Sequence, residues 1–191
     1  MTSTIIMNTS SKPSFAAAAA AAATSTGPTV HPIPSGPWSC YYHEPEDNTW
    51  GPSSYKNLQV CSSWEALGAF LKELGPHKTT NGLLRIMKGD ISPLWENNAN
   101  IYGGSYCLKV PRRNAIEVFR RYLGAALLQI CATDPDNKIV GVTISPKRES
   151  CIIKIWNLNE KRFHNPTDLL LLHDDIRHDE ILYRKHTDQR M

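Results

Sequence analysis

LLRIMKGDISPLWENNANIYGGSYCLKV, residues 83–110, is the stretch from which the fold is read. Residues 83–87 and 105–110 read as strands, and 89–104 between them as a polar loop punctuated by Gly, Pro and Asn. That loop holds one tryptophan, Trp95, followed directly by Glu96. Tryptophan is usually well buried, so one standing in a polar loop calls for an account. The same pattern occurs upstream. Residues 38–43 (WSCYYH) form an aromatic-rich strand, 44–54 (EPEDNTWGPSS) are turn chemistry around Trp50, and 55–60 form the returning strand.

The remaining segments follow from periodicity and punctuation. Ser62 and Ser63 offer an N-cap to a helix over 64–74, with Leu67, Leu71 and Leu74 on one face and Gly75-Pro76 as its stop. The longest helix is expected from Pro111 to about residue 132, with Ile116, Phe119, Leu123, Leu127 and Ile130 at helical spacing. Residues 139–144 and 151–158 make a hairpin around 145–150. A Leu-rich helix is expected over 166–173 and a last short strand over 181–184. This order predicts an α+β fold: a curved antiparallel β-sheet with about three helices packed on the convex face and a ligand pocket on the concave side.

Bulk properties narrow the function. The chain has 191 residues and a formal net charge of +3, too small an excess for a general nucleic-acid binder, so contact with an anionic ligand should be local. Its five cysteines are odd in number and never arranged as C-x-x-C, which argues against a disulfide framework or a zinc site and for reduced thiols in the cytoplasm or nucleus. No apolar run reaches membrane-spanning length. Residues 1–30, with Ala16–Ala23 set among Ser and Thr, read as a disordered tail, and 31–191 as the folded domain.

Two loop tryptophans suggest a slot. Parallel indole faces stack on a flat π-system, worth roughly 1–3 kcal/mol per base, and a cationic ring gains further by the cation–π effect. Glu96 beside Trp95 is placed to accept two N–H bonds from a guanine edge. A cationic purine with two donors on one edge is 7-methylguanine. The bland alternative is that each tryptophan folds back over the core and Glu96 is a plain surface carboxylate.

The run Lys88-Gly-Asp-Ile-Ser-Pro-Leu-Trp95-Glu96-Asn, with Gly103-Gly104, resembles the K-D-G-I-x-P-M-W-E-D … G-G loop of the translation initiation factor 4E family. His31-Pro32 ahead of Trp38, Thr49-Trp50, and Ile153-Lys-Ile-Trp156 are similar to further motifs of that family. The resemblance covers roughly residues 31–188. It implies a messenger-RNA cap-binding protein, with no cofactor or metal, that grips 7-methylguanosine between Trp50 and Trp95, reads guanine with Glu96 and touches the N7-methyl group with Trp156. The family's phosphate-binding arginine corresponds to Lys147, while its lysine falls on Ile152, which cannot serve. Lys154, on the same strand face as Trp156, and Arg148 are the candidate substitutes.

The resemblance also implies a partner. On the convex helical face the family binds a scaffold protein of the initiation factor 4G type, or a 4E-binding protein, through a tryptophan that aligns with Gly68; Trp64, one turn earlier, is the candidate replacement or a plain core residue. The expected protein is a monomer of the cytoplasm, with the nucleus as a second compartment, acting in translation initiation or its regulation, with Arg184, Lys185 and His186 forming a basic rim. Because the chain stops shortly after that rim, following nucleotides should alter affinity only modestly. Two rivals stand beside this reading. One is a fold-retaining decoy that sequesters partners without binding caps. The other is a nucleotide- or cap-processing enzyme, for which no P-loop, G-x-S-x-G or HExxH motif is found.

Overall fold

The computed structural model describes residues 29–190. All but the last two residues of the expected N-terminal tail therefore lie outside the described residues. Seven strands form one antiparallel, curved sheet: β1 (Trp38–His43), β2 (Lys56–Cys61), β3 (Leu83–Lys88), β4 (Gly104–Pro111), β5 (Ile139–Pro146), β6 (Ser150–Asn157) and β7 (Leu182–Lys185). Their order across the sheet is β2-β1-β3-β5-β6-β4-β7. Two α-helices, α1 (Trp64–Asn81) and α2 (Arg112–Leu127), cover the convex face.

Alternation of side chains sorts each strand between the two faces. Trp38, Cys40 and Tyr42 of β1, Leu84 and Ile86 of β3, and Ile153 and Ile155 of β6 point into the main core. There they meet Leu67 and Phe70 of α1 and Val118, Phe119, Tyr122 and Leu123 of α2. The residues between them belong to the concave face. Strand registers arrange these into two rows. One runs Tyr41, Arg85, Thr143, Lys154, Cys107, Leu182; the other runs Ser39, Met87, Gly141, Trp156, Ser105, Arg184.

The helices depart from expectation in three places. Gly75 does stop the first helical segment, with φ 74° in the left-handed region that glycine tolerates, but Pro76 starts a second segment that runs to Asn81. Helix α2 ends at Leu127 rather than near 132, because Gln129 takes φ 56° and its side-chain amide donates to the carbonyls of Ala126 and Ile139. The third helix does not form. Residues 166–173 hold only a 3-10 turn at Pro166–Asp168, closed by the Asn165 side chain. Beyond it the backbone bonds outward: Leu170 N–H donates to the Cys131 carbonyl at 2.8 Å, and the Leu170 carbonyl accepts from the Tyr122 hydroxyl at 3.0 Å. Leu169 is buried while Leu170 and Leu171 are exposed, so the leucines share no helical stripe.

Candidate ligand site on the concave face

Two loops rise from neighbouring strands and carry the expected tryptophans. The β1–β2 loop is fixed by Asp47, whose carboxylate accepts from the Thr49 backbone N–H at 2.9 Å and from its hydroxyl at 2.6 Å. The Thr49 carbonyl accepts from His43 Nε2 at 2.9 Å. This presents Trp50 at 71% exposure with its ring stacked on His43, centroids 4.3 Å apart and planes within 11°. An exposed indole held in a fixed pose offers a stacking surface to a flat ring.

The β3–β4 loop is organised by the fully buried Asn100. Its side-chain amide donates to the carbonyls of Ser92 and Leu94 at 2.8 and 2.7 Å, and its backbone carbonyl accepts from His186 Nδ1 at 2.8 Å. Trp95 is half-buried against a small second cluster of Met87, Val140 and Trp156, and Glu96 next to it is exposed. The two loop tryptophans thus have different neighbours: Trp50 lies on His43, Trp95 on the Trp156 cluster.

Trp156 is buried at 3%, and its indole Nε1 has no hydrogen-bond partner among the described residues. His186 packs on it with ring centroids 4.6 Å apart. Burial lowers the His186 pKa from its ordinary value, and Lys154 and Arg85 act in the same direction. The imidazole beside Trp156 is therefore neutral at neutral pH.

A cavity of about 430 Å³ opens between Trp50 and the sheet, and Lys147 and Lys154 line it. Lys154 is half-buried. Burial first, then the cations Arg85, Arg184 and Lys147, hold its ammonium below the usual lysine range against the opposing effect of Cys107. A second cavity of about 400 Å³ continues on the far side of Lys147 and Lys154, with Lys109 and Arg184 on its walls. Arg148, at the tip of the β5–β6 hairpin, is exposed and lines a different hollow with Lys109, Glu149 and Ile152.

Arg85 is the residue that reading by elements missed. Its guanidinium carbon lies 4.6 Å from the Tyr55 ring centroid and 5.3 Å from that of Trp156, and it lines the same cavity as Trp50. Nη1 donates to the Pro93 carbonyl, tying β3 to the Trp95 loop. The signal was present in Leu-Leu-Arg-Ile-Met-Lys: with Leu84 and Ile86 facing the core, Arg85 must share the opposite face with Met87.

The expected basic rim is reduced to one residue. Lys185 Nζ pairs with Glu160 at 2.9 Å, and His186 is buried at 1%, which leaves Arg184 on the concave face. On the convex side Trp64 is half-buried against the core edge, its backbone N–H donating to the His31 carbonyl at 3.0 Å, while Gly68 is exposed with open space where a side chain would stand.

The fold presents an aromatic and cationic hollow on the concave face of its sheet, and among the described residues no cluster of His, Cys, Asp or Glu could hold a metal. None of the described helices is long and apolar enough to cross a membrane. The sequence model of eukaryotic initiation factor 4E matches residues 35–190, and the chain belongs to that family. Similar solved structures include C. elegans eIF4E-3, in complex with the 4E-binding protein Mextli and a cap analog, at 17% identity and TM-score 0.69 over 84% of this chain and 95% of that one. A schistosome eIF4E complexed with m7GpppA and 4E-BP follows at 22% identity and TM-score 0.61, covering 69% of this chain and 74% of the other. Ascaris suum eIF4E-3 with an m7G cap has 17% identity and TM-score 0.58, covering 69% and 75%. At these identities the likeness is one of fold.

Proposed function

We propose that this chain binds the 7-methylguanosine 5′ cap of messenger RNA in translation initiation or its regulation, as a binding protein rather than an enzyme. Family membership supports the class, and similar proteins are found in complexes with cap analogs. The observation that carries the reading for this chain is Trp50: a 71% exposed indole at the mouth of a cavity whose inner walls are Lys147, Lys154 and Arg85.

The chemistry divides along the ligand. A methylated guanine enters beside Trp50 and sets its cationic ring against the indole, gaining cation–π attraction. Trp95 closes on its other face, Glu96 accepts the N–H groups of the guanine edge, and Trp156 meets the N7-methyl group. Lys147 and Lys154 hold the phosphates, and Arg148, one hollow further out, faces the chain that follows. The cap-binding domain spans residues 31–191 and works as a cytoplasmic monomer. Its helical face, with Trp64 standing one turn before the bare Gly68, receives a partner of the initiation factor 4G or 4E-binding-protein type; similar proteins are found in complexes with 4E-binding proteins.

Titration of tryptophan fluorescence with 7-methyl-GTP and with GTP tests the reading. Saturable quenching by the methylated nucleotide, with GTP far weaker, is the expected outcome. Glu96→Ala should weaken binding by about 1.5–3 kcal/mol, the range for hydrogen bonds to a charged group. Superimposable curves for the two nucleotides would sink the assignment.

A further inference from the structure

We propose that Arg85 is an anion-binding residue of this site, a guanidinium fixed on the floor of the concave face to hold ligand phosphate together with Lys154 and Lys147. The inference rests on the cap-binding reading and names a contact that the motif comparison does not supply.

Register puts Arg85 and Lys154 in one cross-strand row, separated by Thr143. Two strand spacings set their backbones roughly 10 Å apart, a span that one triphosphate can bridge between long side chains. Both cations are half-buried and line the same cavity as Lys147. Like charges gathered on a desolvated floor repel unless a counter-charge lies between them. Five cations with exposed side chains, Lys56, Arg121, Arg162, Arg177 and Lys185, each pair with a carboxylate, whereas the half-buried Arg85 and Lys154, where an unpaired charge costs more, do not. Among the described residues, Arg85, Lys147 and Lys154 form no ion pair with a carboxylate; Glu96 favours the charged Arg85 only from beyond that distance. The cavity's own acids are engaged away from them, Glu44 with Lys56 and Asp47 with Thr49. A hollow that collects cations and diverts its acids is built for a polyanion.

The guanidinium is also pre-positioned. Tyr55 and Trp156 hold its plane, the Pro93 carbonyl takes one N–H, and Nε has no partner among the described residues. A planar fork with donors to spare suits phosphate oxygens. Its rotamer is fixed beforehand, so less entropy is lost when the ligand arrives.

The test compares wild type with Arg85→Met, which keeps a long side chain between the two rings but removes the charge, and Arg85→Lys, which restores it. Each is titrated with 7-methyl-GTP, 7-methylguanosine and inorganic tripolyphosphate at several salt concentrations, after thermal melts establish that the variants fold. R85M should bind 7-methyl-GTP at least about tenfold more weakly, the equivalent of one lost charge-assisted hydrogen bond, with a shallower salt dependence. The bare nucleoside should change less than about twofold on the same ground, since its stacking is untouched. R85K should recover most of the triphosphate affinity. Equal losses for nucleoside and triphosphate, or an unchanged salt slope, would show that Arg85 only props the Trp95 loop. Tripolyphosphate binding weakened by R85M, without any response to methylated guanosine, would uphold Arg85 and overturn the cap reading. No binding of any of the three probes would overturn both.

Discussion

Trp50 and Trp95 are written into similar polar loops, yet the structure gives them different duties. Trp50 stacks on the His43 ring and is 71% exposed, so its removal uncovers one ring face and opens no apolar cluster. Trp95 packs on Met87, Val140 and Trp156, and truncating it opens that cluster to water. Each alanine variant should lose roughly 1–3 kcal/mol of affinity for 7-methyl-GTP, the stacking contribution of one base. Only Trp95→Ala should also lower the melting temperature. A differential melt beside the titration separates the two, and an equal melting loss in both variants would contradict the packing described. The tryptophans were legible in the sequence because an apolar ring among Asn, Asp, Gly and Pro breaks the pattern around it. Arg85 was not legible in the same way. A basic residue inside a short apolar run stands out only after the run is assigned two faces, and that requires knowing which of its leucines reach the core.

Strand placement survived contact with the structure to within a residue or two, since turn residues bracket each strand and alternation is hard to mimic. Helix ends fared worse, because they depend on tertiary partners. The Leu-rich segment after Pro166 has helical composition, but the Cys131 carbonyl and the Tyr122 hydroxyl claim its backbone first. One joint between elements bears directly on the site. Arg112, the first residue of α2, donates to the Thr80 carbonyl at 2.9 Å, to Asn81 Oδ1 at 2.8 Å and, through Nη2, to the Lys147 carbonyl at 2.8 Å. It thereby links the end of α1 to the hairpin that carries Lys147. Arg112→Met should cost about 1–3 kcal/mol of stability through those lost charge-assisted bonds. It should also loosen the hairpin tip, so that amide hydrogen exchange quickens at residues 147–150 and triphosphate affinity falls more than nucleoside affinity. Unchanged exchange at the tip would mean that the β5–β6 pairing alone positions Lys147.

At the scale of the whole molecule, the thiols are withdrawn from water. The five cysteines are all free and all buried, four of them in the main core and Cys107 on the concave face beside Lys154. Cys131 illustrates what that interior does to an ionisable group: burial pushes its thiol up to about 12 from an ordinary 9.0, and its S–H donates to the Tyr122 carbonyl at 3.3 Å. The Tyr122 phenol is likewise pushed by burial to about 12 from 10.0. The folded state holds both protons where the unfolded chain would release them. Their contribution to stability is therefore complete below the unfolded values and is lost as pH rises toward the folded ones. Above pH 9.0 the thiol costs stability, and above 10.0 the phenol joins it, each by about 1.4 kcal/mol per pH unit. Burial raises Cys40, Tyr106 and Tyr183 in the same direction, so the losses accumulate over a narrow window. The melting temperature should hold level through neutral pH, then fall with increasing steepness beyond pH 9.0, and maleimide labelling of the thiols should accelerate in parallel as global opening exposes them. Cys131→Ala removes one of the earliest-titrating groups, so its melting temperature should decline less steeply between pH 9.0 and 12. A wild-type melting temperature that stays level to pH 11, or a variant whose slope matches wild type, would mean that these protons are shared equally by the folded and unfolded chains.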